Sequence, residues 1–343
     1  MNYTDALRRL RQRRNPEDLM IKEAYAHIEE DEAIRYIIGA MAEIDPNYTR
    51  KTYSEAERVQ NQITAGLERH SLGAEYRYQG SITKNTHIRA YSDIDVLTLE
   101  KRFHTLENPQ VPPNPYKGDP VADLCQLREI CDQTLRAAFS KANIDSSGAR
   151  SLKISGGSLA REVDVVPANW FNTNKYAESS NEVFRGIHIL NYPARAREKD
   201  TPFIHGAILN VRDGKFEGNV RRLIRLSKSL KYDSGRNDVP SSYDIEALVY
   251  NMSDDHLLFQ RGQELQLAAA CQRWLGMVKD SSVLRDSLYV PDGHRQIFAE
   301  GKATQAQVAG LHDEYSKLLR DVEQGLTRSF RKLAETRINF PEY

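Results

Sequence analysis

Three aspartates stand where a charge is costly. Asp93 and Asp95 lie two apart in "YSDIDVLTLE", an alternating stretch that reads as a strand. Asp164 lies in "REVDVVPANW", flanked by Val163, Val165 and Val166. Residues two apart on a strand share a face, so Asp93 and Asp95 point one way while Ile94 and Val96 face a core. Two ionised carboxylates side by side repel, and partial desolvation adds to the cost. A hard divalent cation with oxygen ligands, most simply magnesium, relieves both. The alternatives are a solvated strand face or turn cap for the pair, and a buried ion pair with Arg161 for Asp164. Just upstream, Gly80-Ser81 opens the polar turn "GSITKNT". Its backbone N–H groups and hydroxyl suit phosphate oxygens, and Gly80 permits close approach. Two metal ions about 3.5–4 Å apart on such carboxylates activate an attacking hydroxyl and steady a leaving pyrophosphate.

A second group lies far along the chain. In "NVRRLIRLSKSLKYD", Arg221, Arg225 and Lys228 fall on one helix face, with Val220, Leu223, Ser227 and Leu230 toward the other. No acidic residue interrupts this stripe, so it reads as a solvated face or as the neighbour of an anion. "VPSSYDIEALVY" then opens a helix that either Ser241 or Ser242 caps, and a helix N-terminus receives phosphate well. Tyr243 fits a core position or a base-stacking platform equally.

These residues need elements to position them. "YSEAERVQNQITAGLERH" carries apolar residues at helical spacing, with Ser54 and Glu57 as a capping box marking its start. Strands are predicted at "AEYRYQG", "DIDVLTLE", "SLKIS", "REVDVVPANW" and "EVFRGIHILN". A helix is predicted from Val121 to about Asn143, after the proline-rich loop "ENPQVPPNPYKGDP". From Pro202 onward the pattern is almost wholly helical, apart from the turn "VPDGHRQIF" around Asp292 and Gly293. The expectation is an α+β protein of two lobes: residues 1–200 with a mixed sheet and the first helices, which could also join both lobes, and residues 201–343 helical. His87 and His104 read as structural or solvent-facing, and "LRRLRQRR" as a solvated helix face.

The totals narrow the function classes. In 343 residues, 40% are hydrophobic and 28% charged, an ordinary globular balance that argues against disorder. Lys plus Arg equals Asp plus Glu at 48 each, so no overall field would hold a long polyanion. Cys125, Cys131 and Cys271 offer neither a disulfide framework nor a zinc site and suit a reducing compartment. The first residues do not read as a secretory signal, and no apolar run approaches a membrane span of ~20 residues. A cytoplasmic location is expected.

The pattern G-S, then D-x-D, then h-D-h-h-P resembles the DNA polymerase beta-like nucleotidyltransferases. "GSITKNTHIRAYSDIDV" with "VDVVPA" is similar to the cyclic GMP-AMP synthase and DncV-like group, the CD-NTases, which include second-messenger synthases of bacterial antiphage (CBASS) systems. The resemblance implies a polymerase beta-like lobe and a helical lobe with the active site in the cleft between them. It implies two magnesium ions, with manganese able to substitute, on Asp93, Asp95 and Asp164, and the donor triphosphate on Gly80 and Ser81. "LIRLSKSLK" followed by "SSYDIEAL" is similar to paired helices of cyclic dinucleotide and oligoadenylate synthases. This implies that Lys228 and Ser242 hold the triphosphate and that Tyr243 stacks on a base, with Lys231 competing for the lysine role.

The implied activity joins ribonucleoside triphosphates (ATP, GTP or others) into a cyclic di- or trinucleotide and releases pyrophosphate. Regulatory proteins of an antiphage operon are the implied partners. No His/Cys cluster matches the zinc thumb of the DNA-sensing animal synthases, and "NFPEY" is not the small terminal residue that several relatives conjugate to partners. The rival expectations are a template-independent transferase making linear oligonucleotides or modifying RNA or protein, and an inactive nucleotide-binding scaffold.

Overall fold

The computed structural model describes residues 3–14, 32–88 and 93–337 of the chain. Tyr91, Ser92 and the terminal "NFPEY" lie outside the described residues. In chain order the elements begin with helices α1 (Tyr3–Arg14), α2 (Glu32–Met41) and α3 (Pro46–Glu68). Strands β1 (Ala74–Gln79) and β2 (Ile94–Leu106), helix α4 (Pro120–Ala138) and strands β3 (Asn143–Asp145), β4 (Leu152–Ser155) and β5 (Val163–Asn172) follow. Helix α5 (Asn174–Ser179) leads to β6 (Gly186–Asn191) and β7 (Ala196–Asp200). The remainder is helical: α6 (Pro202–Lys215), α7 (Asn219–Ser234), α8 (Ser242–Tyr250), α9 (Glu264–Asp280), α10 (Ser282–Ser287) and α11 (Gln305–Arg337).

The described strands form one seven-stranded mixed sheet in the order β1-β2-β5-β4-β3. β6 also pairs with β5 and carries β7. The pairing of β2 with β5 is parallel and central, whereas β1, β4 and β6 join antiparallel. β4 takes the first residues of β5 and β6 takes the later ones, so one long strand organises both halves of that edge.

Alternation along β2 and β5 divides their side chains between two apolar clusters. Ile94, Val96, Val163 and Val165 pack with Ala56, Val59 and Ile63 of α3 and Leu124 and Leu127 of α4. On the other face, Leu97, Leu99, Val166 and Ala168 pack with Trp170, Ile187 and Ile189, with Phe203 laid against them. Asp95 and Asp164 precede Leu97 and Val166 on this second face, at the end of its apolar floor.

The five predicted strands are present, and β3 and β7 are added. Residues 182–184 turn as a 3-10 helix, because the Asn181 side chain accepts a hydrogen bond from Val183 N at 3.0 Å. α4 ends at Ala138, and Asn143 pairs as a strand with Ser155. The Ser54–Glu57 spacing does not start a helix. α3 begins earlier, where Asp45 accepts from Asn47 N at 2.6 Å and Pro46 takes the first turn.

The chain forms two compact units, one of residues Ile44–Ile208 and one of those up to Glu43 together with those from Leu209 onward. The expected division at residue 200 kept the first helices with the sheet. Instead Ala6, Leu10, Ile34, Ile37 and Met41 share a core with Leu223, Leu226 and Leu230 of α7 and with Tyr315 and Leu318 of α11.

Candidate active site

The sheet register assembles the carboxylates. Gln79 pairs with Asp95, Asp95 with Asp164, Asp164 with Lys153, and Lys153 with Asp145. Cross-strand partners share a face, so these five side chains form one polar row over adjacent strands. Gly80 follows Gln79 directly, at φ +99°, and a Cβ there would come within 3.0 Å of Asp95 Oδ2. Only glycine lets the backbone turn so close to that carboxylate. Thr83 Oγ1 donates to Gly80 O at 2.9 Å, Thr86 N donates to Ser81 O at 3.0 Å, and the buried Ile82 pins the turn from below.

The row is short of positive charge. Burial, reinforced by Asp164 and Asp93, pushes the Asp95 carboxyl up to about 7 even though Lys153 and Lys84 oppose the shift. Burial also raises Asp164, to about 6, with Lys153 opposing it and Asp93 and Glu162 adding to it. Lys153 Nζ lies 3.9 Å from Asp164 Oδ1 and 2.5 Å from Glu162 Oε1. The cation paired with Asp164 is thus Lys153, on the neighbouring strand. Asp164 Oδ1 is buried and has no hydrogen-bond partner among the described residues.

These features fit a hard cation: oxygen donors only, carboxylates that lack compensating charge, and an acceptor oxygen with nothing to accept. Among the described residues, no three His, Cys, Asp or Glu side chains are already gathered as a metal-holding group. The held pair is Asp95 and Asp164. Asp93 is exposed just before β2 begins, close enough to perturb both. His87 is buried and lies 3.3 Å from Thr49 Oγ1, and His104 is exposed, in keeping with structural and solvent-facing parts.

The residues of the helical unit are placed differently. The cations of α7 form neither a solvated nor an uncompensated stripe. Arg221 pairs with Asp213 at 2.8 Å, Arg225 Nε donates to Met41 O at 2.8 Å, and Lys228 Nζ pairs with Glu246 at 2.5 Å. Both Lys228 and Glu246 are buried. The compensating acids come from α6 and α8, which an inspection of one helix could not reveal.

Ser241 is the cap of α8, accepting from Asp244 N at 3.1 Å and donating to Asp244 Oδ2 at 2.7 Å. Ser242 is therefore released from capping and exposed in the first turn, one turn before Glu246 on the same side of α8. Tyr243 is half-buried against the core, and the Arg295 guanidinium stands 5.2 Å from its ring centre. Lys231 donates to Pro240 O at 2.7 Å.

No protein-family model matches the chain. Among characterised proteins, it is 34% identical over 307 residues to the cyclic dinucleotide synthase CdnE of Yersinia aleksiciae, covering 88% of this chain and 78% of that one. The chain belongs to the CdnE family. A c-di-GMP synthase of Capnocytophaga granulosa is 30% identical, over 87% of this chain and 91% of that one. A solved structure of the STING-associated CdnE c-di-GMP synthase from Capnocytophaga granulosa superposes with a TM-score of 0.78 at 26% identity, covering 94% and 99% of the two chains. The CdnE c-UMP-AMP synthase of Rhodothermus marinus, solved with Apcpp and Upnpp, shares the fold at 18% identity over 82% and 96% of the two chains, with a TM-score of 0.57.

As a CdnE-family member the protein is a nucleotidyltransferase that makes a cyclic oligonucleotide, on the polymerase beta-like fold. Sequence inspection passed over Lys153, Glu162 and Glu246. Lys153 carried a signal: it is the charged residue between Leu152 and Ile154 in an alternating strand, and so had to share a face with Asp164 once the two strands paired.

Proposed function

We propose that the protein joins two molecules of GTP into c-di-GMP on the carboxylate row, as a signal in antiphage defence. The observation that carries the site is the register match of Asp95 with Asp164, which puts two carboxylates in adjacent strands beside the Gly80–Ser81 turn. The base and product follow the c-di-GMP synthases among its relatives.

In this reading, the donor triphosphate lies along the Gly80–Ser81 turn, where backbone N–H groups and the Ser81 hydroxyl meet phosphate oxygens. In the helical unit, Lys228 and Ser242 are the proposed phosphate-binding residues, and Tyr243 offers its ring to a base. Magnesium, held by Asp93, Asp95 and Asp164, would supply positive charge at the attacking and leaving oxygens. A ribose hydroxyl of the acceptor attacks the α-phosphorus. The new P–O bond forms as the bond to the β-phosphate breaks, and a proton and pyrophosphate leave. A second attack of the same kind within the linear dinucleotide closes the ring.

Among the described residues no helix is long and apolar enough to cross a membrane. The three cysteines are buried and unbridged. Both features suit a cytoplasmic enzyme. The STING-associated relatives suggest an effector of that type as reader of the product.

The test is a mass spectrum of products from all four ribonucleoside triphosphates with magnesium. A phosphatase-resistant cyclic diguanylate bears the reading out. A mixed or adenine-only ring overturns the base assignment, and a linear or macromolecule-linked product overturns the cyclisation.

A further inference from the structure

We propose that Lys153 is a placeholder cation: it compensates Asp164 while no ion is bound and competes with the divalent ion for that carboxylate. The inference rests on Asp164 being an ion ligand, and it assigns to a residue outside the ligand set a part in setting ion affinity.

Three observations carry it. First, Lys153 is the cross-strand partner of Asp164, so strand pairing itself delivers the ammonium to the carboxylate row. Second, the ammonium is anchored by Glu162 at 2.5 Å while it stands 3.9 Å from Asp164 Oδ1. Glu162 and Asp164 are two apart and share a face, so Lys153 is shared between two carboxylates, with its hydrogen bond on the one outside the site. Third, Asp164 Oδ1 is left without a hydrogen bond, so this oxygen is compensated by charge alone and stays open to a stronger ligand. A lysine tied directly to Oδ1 would block the ion. One held slightly off by Glu162 neutralises the empty site and yields when an ion arrives. The Lys153 side chain is 42% exposed, so it can swing toward Glu162 and solvent at small cost in packing.

The charges set the direction. A fixed ammonium beside a ligand carboxylate repels a divalent ion. Removing it should strengthen ion binding by about fivefold to tenfold, since the Coulomb effect is doubled by the ion's charge but screened at a partly exposed site. A surface ion pair with no bearing on the site would leave ion affinity unchanged.

The experiment measures Mn2+ binding to the full-length protein without nucleotide, by the loss of the free-ion paramagnetic resonance signal, for the wild type, Lys153→Met, Lys153→Arg and Asp164→Asn. Thermal melting with and without Mn2+ accompanies it. Lys153→Met is expected to bind Mn2+ about fivefold to tenfold more tightly and to melt lower than wild type when ion-free, the gap closing at saturating Mn2+. Lys153→Arg is expected to stay within about twofold of wild type, since the charge is kept. An unchanged or weakened affinity in Lys153→Met overturns the inference. If Asp164→Asn binds Mn2+ as the wild type does, the ligand assignment fails instead, so the two failures are separable.

Discussion

Two groups of charge withdrawn from solvent, one in each unit, are treated in opposite ways. In the helical unit, Lys228 and Glu246 form a tight buried pair, and Arg221 is matched by Asp213. In the sheet unit, Asp95 and Asp164 are set side by side with only partial compensation, and both carboxyls are pushed toward neutrality. A buried pair whose two members meet has reached its low-energy arrangement without outside help. Two like charges set together by strand register have not, and they hold protons toward neutral pH unless further positive charge reaches them. The carboxylate row of the sheet unit therefore gains most from added positive charge, whereas the Lys228 ammonium already has a carboxylate of its own.

Breaking the row should have the largest effect. Asp95→Asn is expected to lower turnover by about 10³-fold or more, since it removes a ligand from the transition-state charge. The same change should raise the stability of the ion-free protein by about 2 kcal/mol, because a repelled, desolvated charge is gone. Steady-state kinetics and ion-free chemical denaturation check the two halves. A variant that is both active and no more stable would erase the contrast.

Breaking the helical pair should act the other way. Glu246→Ala leaves the buried Lys228 ammonium without its carboxylate and is expected to cost about 3–5 kcal/mol in urea denaturation. The double variant Glu246→Leu with Lys228→Met should recover much of that stability while still failing to bind nucleotide normally. Full nucleotide affinity in the double variant would remove Lys228 from the proposed triphosphate site.

The acidity of the row gives a third, smaller handle. Both carboxyls are raised on folding, to about 7 for Asp95 and about 6 for Asp164. The folded protein therefore keeps protons that the unfolded chain has released. The stability this contributes is fully present below about pH 4, the unfolded value, and is lost as pH rises through about 6 and then 7. Ion-free melting temperature should fall over that window, and the Asp95→Asn, Asp164→Asn double variant should lack this component. Equal slopes in the two proteins would mean that the carboxylates are better compensated than their surroundings indicate.

The smallest effect concerns the start of α8. Ser241→Ala removes the cap that accepts from Asp244 N and should cost about 1 kcal/mol, whereas Ser242→Ala should leave stability nearly unchanged and weaken nucleotide binding. Denaturation and nucleotide titration on the two variants separate the cap from the proposed ligand residue.

Much of this was legible beforehand because the signals are local. Alternation marked β2 and β5 and put Ile94 and Val96 on the core side, where they pack. The valines around Asp164 marked it as a charge under strain. The short strands β3 and β7 were not legible. β3 has three residues, and β7, Ala196–Asp200, is mostly charged and exposed. Neither carries a hydrophobic rhythm, and both exist because a neighbouring strand offers an open edge. The start of α3 was misplaced because a capping-box spacing inside a helix looks the same as one at its end. Asp45 and Pro46 outrank it by occupying the only turn whose N–H groups need a partner.

Sequence alone determined which residues could do the chemistry, because residue type and period-two or period-3.6 spacing are properties of the chain itself. Tertiary structure decided which charges are compensated. Lys153 meets Asp164 through strand pairing, and Glu246 meets Lys228 through helix packing, across 11 and 18 residues of chain respectively. Electrostatic balance depends on distance in space and on exclusion of water, and neither is a property of a residue's position along the chain.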